Sequence, residues 1–285
     1  MTQEIQDLEK PISAEILASR RLTPDSTDEV RQIDLRIADP MFRCAKGQSI
    51  AVAVPGPHEF GNKHHIRRYS VADNPRLSAE QGAEFSILVR RCFYTDDFNG
   101  ERYPGVASNY LCDARPGDRI SLTGPYKSPF TLPTDSSANL VMIATGTAIA
   151  PFRSMIQHIY QDLGGWQGQV RLYYGAKSGM DLLYMNEEND DLANYYDQET
   201  FQAFKAIASR PILGDSEVNR SLAENAAQAL DLMREPNTHV FVAGIDKLAP
   251  ALEKALVEQA GSEQAWSEIK QGMIDTGRWA EFLFA

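Results

Sequence analysis

The segment Leu140–Pro151, LVMIATGTAIAP, constrains this chain more than any other. Its first six residues form an unbroken apolar run, which suits a strand buried on both faces. A Gly/Thr turn follows, and Pro151 then stands where the first turn of a helix tolerates proline. A helix with 3.6-residue periodicity is expected over 151–163. Further buried strands are expected at Val170–Gly175, Phe201–Ala208 and His239–Ala243. An Ala/Leu-rich helix is expected over Ser221–Arg234, with Ser221 and Glu224 spaced as a capping box. Strand–helix alternation of this kind predicts a doubly wound parallel sheet.

The first half reads differently. Val30–Ile37, Ser49–Val54, Phe85–Val89 and Arg119–Leu122 are short apolar or alternating runs set off by turn residues such as Pro116-Gly117-Asp118. That pattern predicts an antiparallel β-barrel or sandwich. The polar, turn-rich stretch 132–138 marks the boundary, which gives domains over 1–138 and 139–285. Residues 1–29 offer no interpretable pattern.

Charge and cysteine content narrow the function. With 28 Lys+Arg against 39 Asp+Glu, the net charge is −11. Nucleic-acid or anionic-membrane binding is therefore not expected, because phosphate attraction needs a basic surface. The acidity lies mostly in 139–285, whereas 40–130 is mildly basic and suits an acidic partner. Cys44, Cys92 and Cys112 lack the clustering that zinc or iron–sulfur ligation needs. No metal is expected, and reduced thiols imply a cytoplasmic protein. The opening residues lack a basic stretch followed by an apolar run, so no signal peptide is expected. The apolar run at 140–151 is shorter than the ~20 residues of a membrane span.

Three segments carry chemistry. In Arg67-Arg68-Tyr69-Ser70, strand alternation puts Arg67 and Tyr69 on one face. A guanidinium can pair with phosphate and a phenol can lie on a flat heterocycle. An edge strand with a solvated arginine fits the same pattern. In Gly105-Val106-Ala107-Ser108, small residues let successive N–H groups approach a pyrophosphate, helped by the dipole of a helix beginning near Ser108. A plain turn with Ser108 as N-cap fits equally. Ala144–Ser154 has the mechanics of a phosphate- or nicotinamide-binding turn but lacks the G-x-G-x-x-G fingerprint.

Taken in order, RRYSVAD (67–73), GVASNYLCD (105–113), GTAIAPFRS (146–154) and Ala243-Gly244 resemble the plant-type ferredoxin–NADP(+) reductases and their flavoprotein relatives. The resemblance runs from about Ile33 to Phe284. It implies an N-terminal antiparallel β-barrel that binds FAD, followed by a parallel-sheet NAD(P)-binding domain. It also implies electron transfer between NAD(P)H and a one-electron carrier, either ferredoxin or flavodoxin. By the same resemblance, Arg67 neutralises the FAD pyrophosphate, Tyr69 stacks on the isoalloxazine, and Ser70 serves catalysis beside the flavin nitrogen that accepts hydride. Gly105, Val106, Ala107 and Ser108 line the pyrophosphate, and Tyr94 stacks on the adenine. Arg90 lies near the NADP phosphates. Thr147 lines the nicotinamide pocket, Ser209 and Arg210 grip the 2′-phosphate, and Glu281 is the catalytic terminal glutamate. Phe284 covers the flavin, with Phe282 as its rival. Arg43, Lys46, Lys63, Arg67, Arg68, Arg90 and Arg91 are candidates for docking an acidic iron–sulfur protein.

Three departures stand out. Ala243-Gly244 replaces the family's Cys-Gly. Ser216–Arg220 lacks the family's adenine-stacking Tyr, which leaves NADH open beside NADPH. The spacing from Trp279 to Glu281 is one residue short. Two rival readings are the reductase component of a multicomponent oxygenase and a non-catalytic electron-routing subunit. The oligomeric state is not legible in the sequence.

Overall fold

A computed structural model describes residues 11–56, 64–78, 82–96, 98–176, 178–186, 190–207, 217–245 and 248–284, with side chains left aside at 206–207, 217–224, 245, 248–249 and 251. The chain divides into two units, the first ending at Ser128 and the second beginning at Pro129.

The first unit is an antiparallel sheet of seven strands: β1 (Ile12–Arg21), β2 (Val30–Ile37), β3 (Ser49–Pro55), β4 (His64–Ser70), β5 (Arg76–Ser78), β6 (Gly82–Arg90) and β9 (Arg119–Tyr126), in the order β4-β3-β9-β1-β2-β6-β5. A bridge between Val71 and Ile87 ties the segment after β4 to β6, so the sheet curls back into a barrel. Alternate residues of these strands fill the interior, among them Ile16, Leu35, Val52, Ile87 and Leu122. A small hairpin of β7 (Phe93–Thr95) and β8 (Arg102–Pro104) leads into helix α1 (Val106–Asp113), which buries Ala107, Leu111 and Cys112 against the barrel.

β1 occupies the middle of the sheet, hydrogen-bonded to both β2 and β9, although its sequence offers no readable alternation. A bulge between Ile16 and Ala18 shifts the register there. Such a bulge breaks the period of two on which a sequence reading depends.

The second unit is a five-stranded parallel sheet in the order β12-β11-β10-β13-β14, from β10 (Asn139–Thr145), β11 (Val170–Ala176), β12 (Phe201–Ile207), β13 (Thr238–Ile245) and β14 (Trp279–Phe284). Val141, Ile143, Val240 and Val242 face helices α3 (Glu217–Arg234), α4 (Leu248–Ala260) and α5 (Glu263–Asp275). On the other face Phe241 meets Phe130, whose ring centroid is 5.1 Å from that of Phe152 in α2 (Ile149–Gln157).

The stretch 132–138 therefore belongs to the second unit, and the division falls at 128/129 rather than 138/139. Phe130 is core, Trp166 Nε1 donates to the Ala138 carbonyl, and the amides of Gln167 and Gly168 donate to the Ser136 carbonyl. The helix expected over 151–163 is α2 followed by a π turn at His158–Asp162. Helix α3 starts at Glu217, so Ser221 lies inside the helix rather than at its start. Strand β12 ends at Ile207, and Ala208 lies outside the described residues. Among the described residues no helix is long and apolar enough to cross a membrane. None of their His, Cys, Asp and Glu side chains gather into a metal-binding group.

Candidate functional site

In the first unit, three elements carry the expected residues: β4, helix α1 packed against it, and the β7–β8 hairpin that leads into α1. Strand β4 pairs with β3 so that Arg67 lies opposite Val52 and Tyr69 opposite Ile50, which puts both on one face. Tyr69 packs against the core cluster that contains Ala107, Leu111 and Cys112 of α1. Burial pushes its phenol acidity well above the usual 10, so the ring stays neutral. Arg67 is exposed, and among the described residues it hydrogen-bonds only the carbonyl of its neighbour Ile66, at 3.3 Å. Ser70 closes the strand, half-buried. His65, in the same strand, is held below the usual 6.5 by burial and by Arg67.

The second element is the start of α1. Gly105, not Ser108, is the N-cap residue, with extended backbone and no side-chain cap. The first turn carries no acid. Its amide groups are therefore uncompensated, and that is the local chemistry of an anion site. Gly105 is held by its amide, which donates to the Cys92 carbonyl at 2.9 Å. The Cys92 amide in turn donates to Ser108 Oγ at 3.1 Å, and Asn109 Nδ2 donates to the carbonyls of Cys92 and Gly105. A Cβ on Gly105 would come within 3.0 Å of Ser108 Oγ and 3.2 Å of the Cys92 carbonyl, so a larger residue would crowd both.

The third element is the β7–β8 hairpin. Tyr94, 58% exposed, is stacked with Tyr103, the ring centroids 5.4 Å apart. Tyr103 OH hydrogen-bonds Glu101. The sequence reading missed Tyr103. Its signal is hairpin register, which sets Tyr94 opposite Tyr103. These groups fit an FAD-like ligand: a cationic side chain, an uncapped helix start, a neutral ring wedged against that helix, and an exposed aromatic pair.

Arg91 is not an available docking cation, because Glu29, Asn109 and Asp113 all bind it. Arg68 lies 4.6 Å over the Tyr126 ring and donates to Ser49 Oγ. Arg90 is exposed and 4.0 Å from Asp28. Arg43 is exposed, and its Nη1 donates to the Pro40 and Phe42 carbonyls. Lys46 is half-buried. Lys63 lies outside the described residues.

In the second unit, β10 is flanked by β11 on one side and β13 on the other, so its carboxyl end is the topological switch point where ligands of open α/β sheets bind. There Gly146 adopts a left-handed φ of +53° and opens a 3-10 turn, Gly146–Ala148, that contains Thr147. Thr145 Oγ1, at the strand's last residue, is buried and has no hydrogen-bond partner among the described residues. At the end of β13, Ala243 is buried and pairs in register with Phe282, as Ile245 does with Phe284. The rings of Phe282 and Phe284 are 6.3 Å apart on one face of β14.

Glu281 lies on the opposite face. It accepts from Trp279 Nε1 at 3.1 Å and is 4.0 Å from Lys270 of α5. Strand alternation thus puts it on the face of β14 opposite Phe282 and Phe284. Ser209 and Arg210 lie outside the described residues, as does the side chain of Arg220.

Comparison with known proteins agrees with this architecture. Residues 142–254 match a family model described as the oxidoreductase NAD-binding domain. The ferredoxin–NADP reductase of Thermosynechococcus vestitus is 30% identical over 278 residues, covering 94% of this chain and 72% of that protein. That of Synechocystis sp. is 32% identical over 255 residues, covering 86% and 60%. Among solved structures, a ferredoxin–NADP+ reductase from Plasmodium falciparum superposes with a TM-score of 0.72 at 18% identity, covering 98% of both chains. The same enzyme with 2′P-AMP gives 0.68 at 17% identity, covering 88% of this chain and 93% of that one.

Proposed function

Because this chain belongs to the ferredoxin–NADP reductase family, we propose that it is a flavoprotein oxidoreductase that moves electrons between NADP(H) and ferredoxin. Bound FAD would supply the chemistry, accepting or giving two electrons at the nicotinamide side and one at a time at the iron–sulfur side. The protein binds, orients and shields. The observation that carries this reading is the uncapped N-terminus of α1 on the same side of the barrel as Tyr69 and the exposed guanidinium of Arg67.

In this reading Arg67 and the first amides of α1, from Val106 to Ser108, hold the diphosphate. The Tyr69 ring is the platform for the isoalloxazine, and Ser70 offers a hydroxyl to its reacting edge. Tyr94, backed by Tyr103, takes the adenine. The Gly146–Ala148 turn, with Thr147, receives the nicotinamide nucleotide, and Phe284 is the aromatic to which the family resemblance gives the part of flavin cover. Glu281, to which the family resemblance gives a catalytic role, is held by Trp279 and lies 4.0 Å from Lys270. Assignment of the 2′-phosphate to Ser209 and Arg210 rests on sequence alone. NADPH is the preferred donor and NADH the alternative. Ferredoxin is the acceptor we favour, with flavodoxin or an oxygenase component as alternatives. The three free cysteines suit a cytoplasmic location.

Ala243 favours a second reading, an electron-routing subunit with weak turnover, because no thiol stands at that strand end. An anaerobic absorbance titration with NADPH and then NADH tests both. Yellow protein bleached by NADPH supports the reductase. Yellow protein that does not bleach supports the routing subunit. Colourless protein that neither retains nor rebinds FAD overturns both.

A further inference from the structure

Resting on the nucleotide-binding reading of the Gly146 turn, we infer that Tyr174 is a positioning residue for that turn: its hydroxyl clamps the Gly146 carbonyl to the amide of Leu183. Tyr174 stands on β11, the neighbour of β10 at the switch point, and its side chain is wholly buried. Its hydroxyl donates to the Gly146 carbonyl at 2.9 Å and accepts from the Leu183 amide at 3.1 Å. Burial holds the phenol protonated at any working pH, which keeps it a donor to the carbonyl.

The clamp acts on the most exacting residue of the turn. Gly146 is left-handed, and its carbonyl also receives the Ile149 amide, which begins α2. One carbonyl thus fixes both the turn and the start of the helix. On its other side the hydroxyl fastens Leu183, next to Tyr184, which has a φ of +62°. The Tyr184 ring lies 4.1 Å under the guanidinium of Arg153 from α2, and Arg153 Nε donates to Asp191 at 2.9 Å. The segment after β11 is therefore joined to the β10–α2 connection both through Tyr174, which touches the turn, and through Arg153, which reaches Tyr184 and Asp191.

Removing the hydroxyl would leave the buried Leu183 amide without its acceptor and the Gly146 carbonyl with one donor instead of two. A loss of this kind is worth on the order of tenfold in an equilibrium that depends on the turn's shape. The ring volume is kept in Tyr174→Phe, so the core stays filled. The control is Tyr173→Phe. That ring faces the other side of β11, stacked on Phe204 at 4.8 Å, and touches nothing in the turn.

The test uses the FAD-loaded protein and two readouts besides turnover: calorimetric affinity for NADP+ and hydrogen exchange of the peptide spanning 144–149. For Tyr174→Phe we expect about tenfold weaker NADP+ binding, faster exchange at 145–149, a raised KM with kcat less affected, and unchanged FAD content. Tyr173→Phe should match the parent in all of them. Unchanged NADP+ affinity and exchange in Tyr174→Phe, or the same losses in Tyr173→Phe, overturn the inference alone. A parent protein that binds FAD but has no measurable affinity for NADP+ overturns the nucleotide reading of the turn along with it.

Discussion

The guanidinium of Arg91 meets the carboxylate of Glu29 across 2.7 Å, and the same guanidinium reaches Asn109 and Asp113 of α1. Through this pair the connection that precedes β2 is joined to the helix whose amino end forms the candidate pyrophosphate site. Arg31 also binds Glu29, so the carboxylate bridges two cations. We expect Glu29→Gln to lower stability by about 1–2 kcal/mol, since the pair is only partly exposed and Arg91 would lose its closest countercharge. It should also release FAD at lower temperature. Thermal melts followed by flavin fluorescence read both. A variant with parental melting and FAD release would show that the pair does not position α1.

The same carboxylate sets an acid limit. Burial works against its ionisation, but hydrogen bonds from Arg91 and Arg31 outweigh burial and hold Glu29 below its usual 4.5. A carboxyl whose folded value is depressed contributes stability above its unfolded value and loses it as pH falls through the folded one. The parent should therefore lose stability below about pH 4.5 through this group. Glu29→Gln should show a shallower loss over that range. Denaturant midpoints compared between pH 6 and pH 3.5 measure the difference, and parallel curves would remove Glu29 from the account.

Gly105→Ala should weaken FAD binding by about tenfold while costing about 1 kcal/mol in stability. Its φ of −64° suits any residue, so the penalty comes from the crowding of Ser108 Oγ and the Cys92 carbonyl by the new methyl. Titration of FAD into the apoprotein gives the affinity. Parental affinity would place the pyrophosphate elsewhere.

Arg67 and Arg68 are adjacent but should separate cleanly. Arg67→Ala removes an exposed cation with no side-chain partner among the described residues, so apoprotein stability should stay within about 0.5 kcal/mol. FAD affinity should fall roughly 10- to 100-fold, the range of a charge-assisted contact. Arg68→Ala removes the contact with Tyr126 and the bond to Ser49, and should cost about 1 kcal/mol of stability with little change in FAD affinity. The reverse pattern in paired melts and titrations would exchange their roles.

In the second unit, Phe152→Ala should cost about 3–5 kcal/mol, because the ring is wholly buried against Phe130 and its loss leaves a cavity beneath the Gly146 turn's helix. Urea unfolding measures it. A cost under about 1 kcal/mol would mean that the site collapses to fill the space.

The parallel sheet was legible because LVMIA and VFVA are apolar throughout, the pattern of strands covered on both faces. The barrel strands β2, β3, β6 and β9 were legible from their apolar runs and bounding turns. Strand β1 was not, since its bulge scrambles the alternation. Ser108 looked like a cap because serine often is one, yet Gly105 takes that place and Ser108 bonds Cys92 instead. Glu281 came from the family resemblance, and a sequence does not show that pleat parity sets it on the face of β14 opposite Phe282 and Phe284. Tyr174 carried no sequence signal, because its partners are backbone atoms of residues 146 and 183.

The placement of β1 has a consequence for biogenesis. Ile12 pairs with Leu122 and Glu15 with Arg119, so the earliest described strand waits for the last strand of its own unit. During translation the barrel cannot be completed until more than a hundred further residues have left the ribosome, and such distant pairings form slowly. Flavin capture must then follow the emergence of β9, and a nascent chain stalled before residue 119 should hold no dinucleotide.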